Sequence, residues 1–245
     1  MTASPVQLWL LPRALGLPNA SPFGIKMEAW LRLAEVPYEA HIITGRPRSR
    51  SGKTPYLELA DGTFLSDTSE MIAHLRKQYS IGLDDGLGPA ERAALTFVQR
   101  LLEEHLYWIL IHDRWMDDAG WKIVRAEYFA ALPAPLRLFV PALLRRFVRR
   151  DAHGQGLHRL SREALLTRAQ QDLGALSQML GDQPYFLGSK STADAIALAF
   201  LASIYFAPFV GVLSEAAQPY ENLKSYTSKL FQEVFPDYPL PQLVC

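Results

Sequence analysis

With 245 residues, 49% of them hydrophobic and 20% charged, the chain has the composition of a globular protein with a sizeable core, not of a disordered one. Its 25 basic and 25 acidic side chains cancel, which excludes the charge excess of a nucleic-acid or polyanion binder. The single cysteine, Cys245, excludes an intrachain disulfide and any CxxC redox or zinc site.

The first residues, MTASPVQLWLLPRALG, lack the basic start and long apolar core of a secretory leader. Nor does any stretch reach the roughly 18–20 uncharged residues that span a bilayer, so a cytoplasmic location is expected. Residues 6–11, VQLWLL, form a short apolar run between prolines and predict a buried strand. From Pro22, the residues Phe23, Ile25, Met27, Trp30, Leu31, Leu33 and Ala34 recur at helical spacing until Pro37. YEAHIIT predicts a second strand. In TPYLELADGTFLSD, apolar and polar residues alternate on both sides of Asp61-Gly62, which predicts a hairpin whose turn needs the positive φ that glycine supplies. Helical spacing returns through Met71, Ile72 and Leu75.

After residue 80 no strand pattern recurs. The spacing predicts helices over roughly 89–118, 120–132, 136–150, 161–181, 191–213 and 219–233, with Pro and Gly at the seams. Two domains follow: an α/β unit over 1–80, a Gly-rich linker over 81–88, and an all-α unit over 89–245.

Four local patterns carry a more specific signal. SPFG, 21–24, stands between the first strand and the first helix, and KTPYLEL, 53–59, opens the third strand with a proline. SDTSEMIAHL, 66–75, sets an acid and a hydroxyl at a helix start, and Ser191 with Asp194 forms an S-x-x-D box before an apolar helix. Together with the element order, these resemble the glutathione transferase family. The resemblance implies a thioredoxin-like α/β N-terminal domain followed by an all-α C-terminal domain. GQGLHRLSREAL and YENLKSYTSKLFQEVFPDY are similar to the metaxin and failed-axon-connections branch. Metaxins work in protein import at the mitochondrial outer membrane, so the branch admits a non-catalytic scaffold as the alternative to an enzyme.

Under this resemblance Ser21 faces the sulfur of glutathione, with Asn19 as a second candidate. Thr54 pairs through its backbone with the cysteinyl unit, Pro55 is the cis-proline, Asp67 meets the γ-glutamyl ammonium and Thr68 its carboxylate. Lys53 pairs with the glycyl carboxylate, in competition with Arg46, Arg48 and Arg50. Read from the residues alone, Ser21 before Pro22 is an ordinary helix N-cap, and both readings stand at this point. Neither Ser21 nor Gly24 carries sulfur, so thiol–disulfide exchange is not expected here. Tyr107, Trp108, His112 and Trp115 fall within three helical turns and are the candidate wall for a small apolar electrophile, against the plainer reading of an aromatic core stripe. His105, His112, Asp113 and Asp117 lack metal-ligand spacing, so no metal is expected. The family also implies a homodimer. Lastly, 137–150 holds Arg137, Arg145, Arg146, Arg149 and Arg150 with no acid. That run reads as a solvated surface helix, with a membrane or protein contact as the alternative.

Overall fold

The structure, a computed structural model, describes residues 5–244; Cys245 lies outside the described residues. Strand β1 (Val6–Leu10) alternates buried and half-buried positions, the period of a sheet with one face on the core. It pairs in parallel with β2 (Tyr38–Ile42) and antiparallel with β3 (Tyr56–Glu58), and β3 pairs antiparallel with β4 (Phe64–Leu65). The order across the sheet is β2-β1-β3-β4. Parallel pairing of β1 and β2 demands a crossover, and α1 (Pro22–Leu33) supplies it. The β3–β4 connection turns at Gly62, whose φ of +79° lies in the region glycine tolerates. Helix α2 (Thr68–Tyr79) completes this lobe, capped by the Asp67 carboxylate, which accepts from the Ser69 and Glu70 amides.

The helical lobe opens with α3 (Pro89–Arg100), which runs through a π-helical segment (Leu101–Leu106), α4 (Tyr107–Ile111) and a second π-helical segment (His112–Met116) as one rod. There follow α5 (Asp118–Tyr128), α6 (Ala134–Gln155), a 3₁₀ turn (Leu157–Arg159), α7 (Arg162–Leu180), α8 (Thr192–Tyr205), α9 (Val212–Ala217) and α10 (Glu221–Val234). The helix expected over 191–213 is two helices. Pro208 has no amide to donate, so the chain leaves α8 after Tyr205 and restarts at Val212. The restart is capped by Asp113, whose carboxylate accepts from the Val212 and Leu213 amides at 3.0 and 2.8 Å.

All of α8 is buried, and its start is fixed by Asp194. The Asp194 carboxylate accepts from the Ser191 amide, the Ser191 hydroxyl, the Phe186 amide and the Tyr226 hydroxyl. Helix α1 packs on α8, so the cores of the two lobes are continuous. The 81–88 segment is tied down. Asp84 is 1% exposed and accepts from the Thr192 amide, the Thr192 hydroxyl and Arg76. The same Thr192 hydroxyl accepts from the Trp30 indole at 3.0 Å. One relay thus joins α2, the connecting segment, α8 and α1.

Candidate functional site

Between the lobes lies a cleft of about 520 Å³, floored by the N-termini of α1 and α2 and walled by the long α3–α4 rod. Ser21, Lys53, Thr54, Pro55, Asp67, Thr68, Tyr107, Trp108 and Trp115 all line it. The Thr54–Pro55 bond is cis.

Ser21 holds the N-cap position of α1, yet its hydroxyl makes no bond to the first-turn amides. In that turn Pro22 has no N–H, while Gly24 and Ile25 donate to the Ser21 carbonyl. The Ser21 hydroxyl and the Phe23 amide are therefore the uncommitted donors at the positive end of a helix. Asn19 is different. It is 1% exposed and engaged at both ends of its amide, donating to the Leu11 carbonyl at 2.8 Å and accepting from the Ser21 amide at 2.9 Å. Asn19 positions Ser21 and is not itself a donor to the cleft. Gly24 is required beside it, because a Cβ there would stand 2.4 Å from the Asn19 Cγ.

The floor at α2 rests on a buried cation. Lys26, on α1, is 0% exposed. Its ammonium donates to the Thr68 hydroxyl at 2.8 Å and pairs with Glu103 from the rod at 2.5 Å. Gln99 donates to the same carboxylate at 3.0 Å and to the Ser69 hydroxyl at 2.8 Å. Burial pushes the Lys26 pKa down, and Glu103 and then Asp67 oppose that shift. With its hydroxyl oxygen accepting from Lys26, Thr68 can still donate toward the cleft.

The opposite wall is aromatic. Phe23 meets Tyr107 and Phe200 edge-on at 5.2 and 5.5 Å, and Tyr107 meets Trp108 at 5.6 Å. Burial raises the Tyr107 pKa, so its phenol stays protonated. Arg114, 2% exposed, donates to the Ala20 carbonyl and the Tyr128 hydroxyl, and Tyr128 donates to the same carbonyl. It thereby fixes the residue before Ser21. His112 does not line the cleft. It stands beside Asp113 and faces His158 at 5.7 Å; Ile111 lines the cleft, and the next step of about 100° along the helix turns His112 past its edge. The other residues weighed as metal ligands are spent elsewhere. His105 pairs with Asp172, and Asp117 caps α5.

Lys26, Glu103, Arg114 and Tyr128 are site residues that the sequence reading missed. A signal existed for Lys26: it lies three residues after Phe23 and four before Trp30, inside the apolar stripe and not across from it.

Family models for the glutathione S-transferase N-terminal domain and the glutathione S-transferase C-terminal domain match residues 22–120 and 169–230. The isoprene-epoxide–glutathione S-transferase of Rhodococcus sp. (strain AD45) is 32% identical over 228 residues, which cover 89% of this chain and 94% of that one. The chain belongs to the glutathione S-transferase superfamily. It sits on the metaxin-like branch. Metaxin-1 of Sus scrofa is 30% identical, covering 96% of this chain and 76% of that one. Failed axon connections of Drosophila melanogaster is also 30% identical, and there the match covers 95% of this chain and 59% of the relative. Among solved structures, a glutathione S-transferase from Methylobacterium radiotolerans in complex with glutathione sulfonate aligns over 96% of this chain and 95% of its own, with a TM-score of 0.58 at 17% identity. One from Ceriporiopsis subvermispora in complex with glutathione covers 97% and 99%, with a TM-score of 0.58 at 15% identity. The superfamily fold expected from the motifs is the observed one, a thioredoxin-like α/β lobe followed by an all-α lobe.

Proposed function

We propose that this chain binds glutathione in the cleft and conjugates it to a small apolar electrophile. The observation that carries the proposal is the uncommitted Ser21 hydroxyl at the N-terminus of α1, opposite an aromatic wall and beside cis-Pro55. A free thiol has a pKa of about 8.5, so little of it is ionised at neutral pH. Holding it two units lower takes about 2.7 kcal/mol, and a hydroxyl donor together with a helix N-terminus supplies stabilisation of that kind.

In this reading Thr54 pairs with the cysteinyl backbone, and the Thr68 hydroxyl at the start of α2 receives the γ-glutamyl carboxylate. Asp67 receives the ammonium, and Glu103 adds a second acid. Lys53, exposed at the rim, meets the glycyl carboxylate. Epoxides are the first electrophile class to examine, since the Rhodococcus relative is named for one. Thiolate attack on an epoxide carbon forms a C–S bond and breaks a C–O bond, and the alkoxide then takes a proton. Tyr107 brings a protonated phenol to the cleft for that step. The proposal carries with it a homodimer in the cytoplasm, which light scattering and cell fractionation test.

The decisive experiment is titration calorimetry with reduced glutathione, on the native chain and on an Asp67→Asn, Thr68→Val variant that keeps an acceptor to cap α2. Saturable binding lost in the variant supports the proposal. No binding at millimolar glutathione overturns it and favours a scaffold on the same fold, the reading that the metaxin relatives and the exposed apolar face of α6 would then support.

A further inference from the structure

Helix α6 packs through one face only. Pro141, Arg145, Val148 and Ala152, spaced four, three and four residues apart, turn inward. On its far side a second apolar stripe faces outward. Leu136, Phe139, Leu143 and Phe147, spaced three, four and four, share that face and are 49, 71, 53 and 44% exposed. Among the described residues all four stand outside the buried cores, and the Phe147 ring meets Arg150 of the same helix.

Beside it lies a basic cleft. Between α5 and α6 a recess of about 340 Å³ is lined by Trp121, Arg125, Leu138, Arg145, Arg146 and Arg149. Arg145 is anchored, donating to the Trp115 and Met116 carbonyls and to Asp118, with its guanidinium 4.9 Å from the Trp121 ring. Arg125, Arg146 and Arg149 have no carboxylate within ion-pair distance among the described residues. Arg137 belongs to the fold, since it donates to the Ala130 and Leu132 carbonyls, and Arg150 pairs with Asp151. No acid occurs from 128 to 150.

The charge selects the occupant. A second copy apposed through this face would bring arginine against arginine, and an uncharged apolar partner would leave the guanidiniums unmatched. An anionic phospholipid surface satisfies both halves: acyl chains for the stripe, phosphates for the cleft. No helix among the described residues is long and apolar enough to cross a membrane, so α6 would lie in the interface plane. We propose that the α5–α6 corner docks on anionic phospholipid membranes, with Leu136, Phe139, Leu143 and Phe147 entering the acyl boundary and Arg125, Arg146 and Arg149 holding headgroup phosphates.

The test is co-sedimentation of the full chain with vesicles of phosphatidylcholine alone and of phosphatidylcholine mixed with phosphatidylserine. Two variants on exposed positions accompany it, Arg146→Gln with Arg149→Gln and Phe139→Ser with Leu143→Ser, and circular dichroism confirms that each is folded. The native chain is expected to pellet with the mixed vesicles and not with phosphatidylcholine. Each arginine near such a surface contributes roughly fivefold to partitioning, so removing two weakens it about thirtyfold. The serine variant loses the pellet as well. A native chain that stays in the supernatant with mixed vesicles overturns the proposal, as do variants that sediment like the native chain. A native dimer that Phe139→Ser with Leu143→Ser converts to monomer, without vesicle binding, assigns the stripe to a second copy and overturns it too.

Discussion

Replacing Lys26 by methionine keeps a flexible apolar stem and deletes the charge. The ammonium it removes is 0% exposed and is the shared partner of Glu103 and Thr68, at 2.5 and 2.8 Å. The Glu103 side chain is 10% exposed, and without Lys26 the Gln99 amide is its remaining donor, at 3.0 Å. Breaking a buried pair from one side costs about 3–5 kcal/mol, because the other charge is left uncompensated. For a chain of this size each kcal/mol moves the melting temperature by about 2–4 °C, so the loss is roughly 6–20 °C. Adding Glu103→Leu removes the stranded carboxylate, and most of the stability returns, since replacing both charges by packed apolar groups is about neutral. Scanning calorimetry on the single and double variants reads both effects. If the single variant melts within about 2 °C of the native chain, or the double variant is no more stable than the single, the pair does not carry the load assigned to it.

Ser21→Ala leaves the melting temperature unchanged, because the hydroxyl caps nothing. It slows conjugation at neutral pH by about 10- to 100-fold, through a thiol pKa one to two units higher. The pH–rate profile moves to higher pH, and an unaltered profile would refute the role. Gly24→Ala drives a methyl group into the buried Asn19 amide and breaks its bonds to Leu11 and Ser21, at a cost of about 2–3 kcal/mol in urea unfolding. Asp237 is held below the usual carboxylate range by Arg32. The stability this gives is present above the ordinary aspartate pKa and is lost as pH falls through the lowered value. The native chain therefore loses melting temperature in acid, and Asp237→Asn flattens that limb by less than about 1 kcal/mol, the scale of a solvated pair. Equal slopes in the two proteins would show that the Arg32–Asp237 pair contributes nothing there.

Local chemistry was legible where one residue decides the backbone. Pro55, the Asp61-Gly62 turn, the Asp67 cap and the Asp194 anchor each act within a few positions of themselves. The end of α8 was misread: Pro208 breaks the helix expected over 191–213, and the chain restarts at Val212. What sequence could not place depends on partners distant in the chain. Glu103 meets Lys26 across 77 positions, and Arg114 reaches Ala20 across 94. His112 was misplaced for another reason: it stands at the edge of the face that Trp108 and Trp115 share, and it turns toward His158 and not into the cleft. The second apolar face of α6 was hidden by its arginines, which drew the eye to charge while the leucines and phenylalanines lay between them.

The relay from Arg76 through Asp84 to Thr192 and Trp30 bears on how this protein can be taken apart. Asp84 belongs by position to the connection and by contact to both lobes. A cut after residue 80 would free the indole nitrogen and bare the α8 face of α1 at one stroke, so the α/β lobe is not a module to be excised or grafted onto another helical body. Any chimera that exchanges the helical lobe has to carry a hydroxyl at the start of its buried helix and an acid in the crossing segment. The seam between the lobes is where the two halves of the chain are least interchangeable.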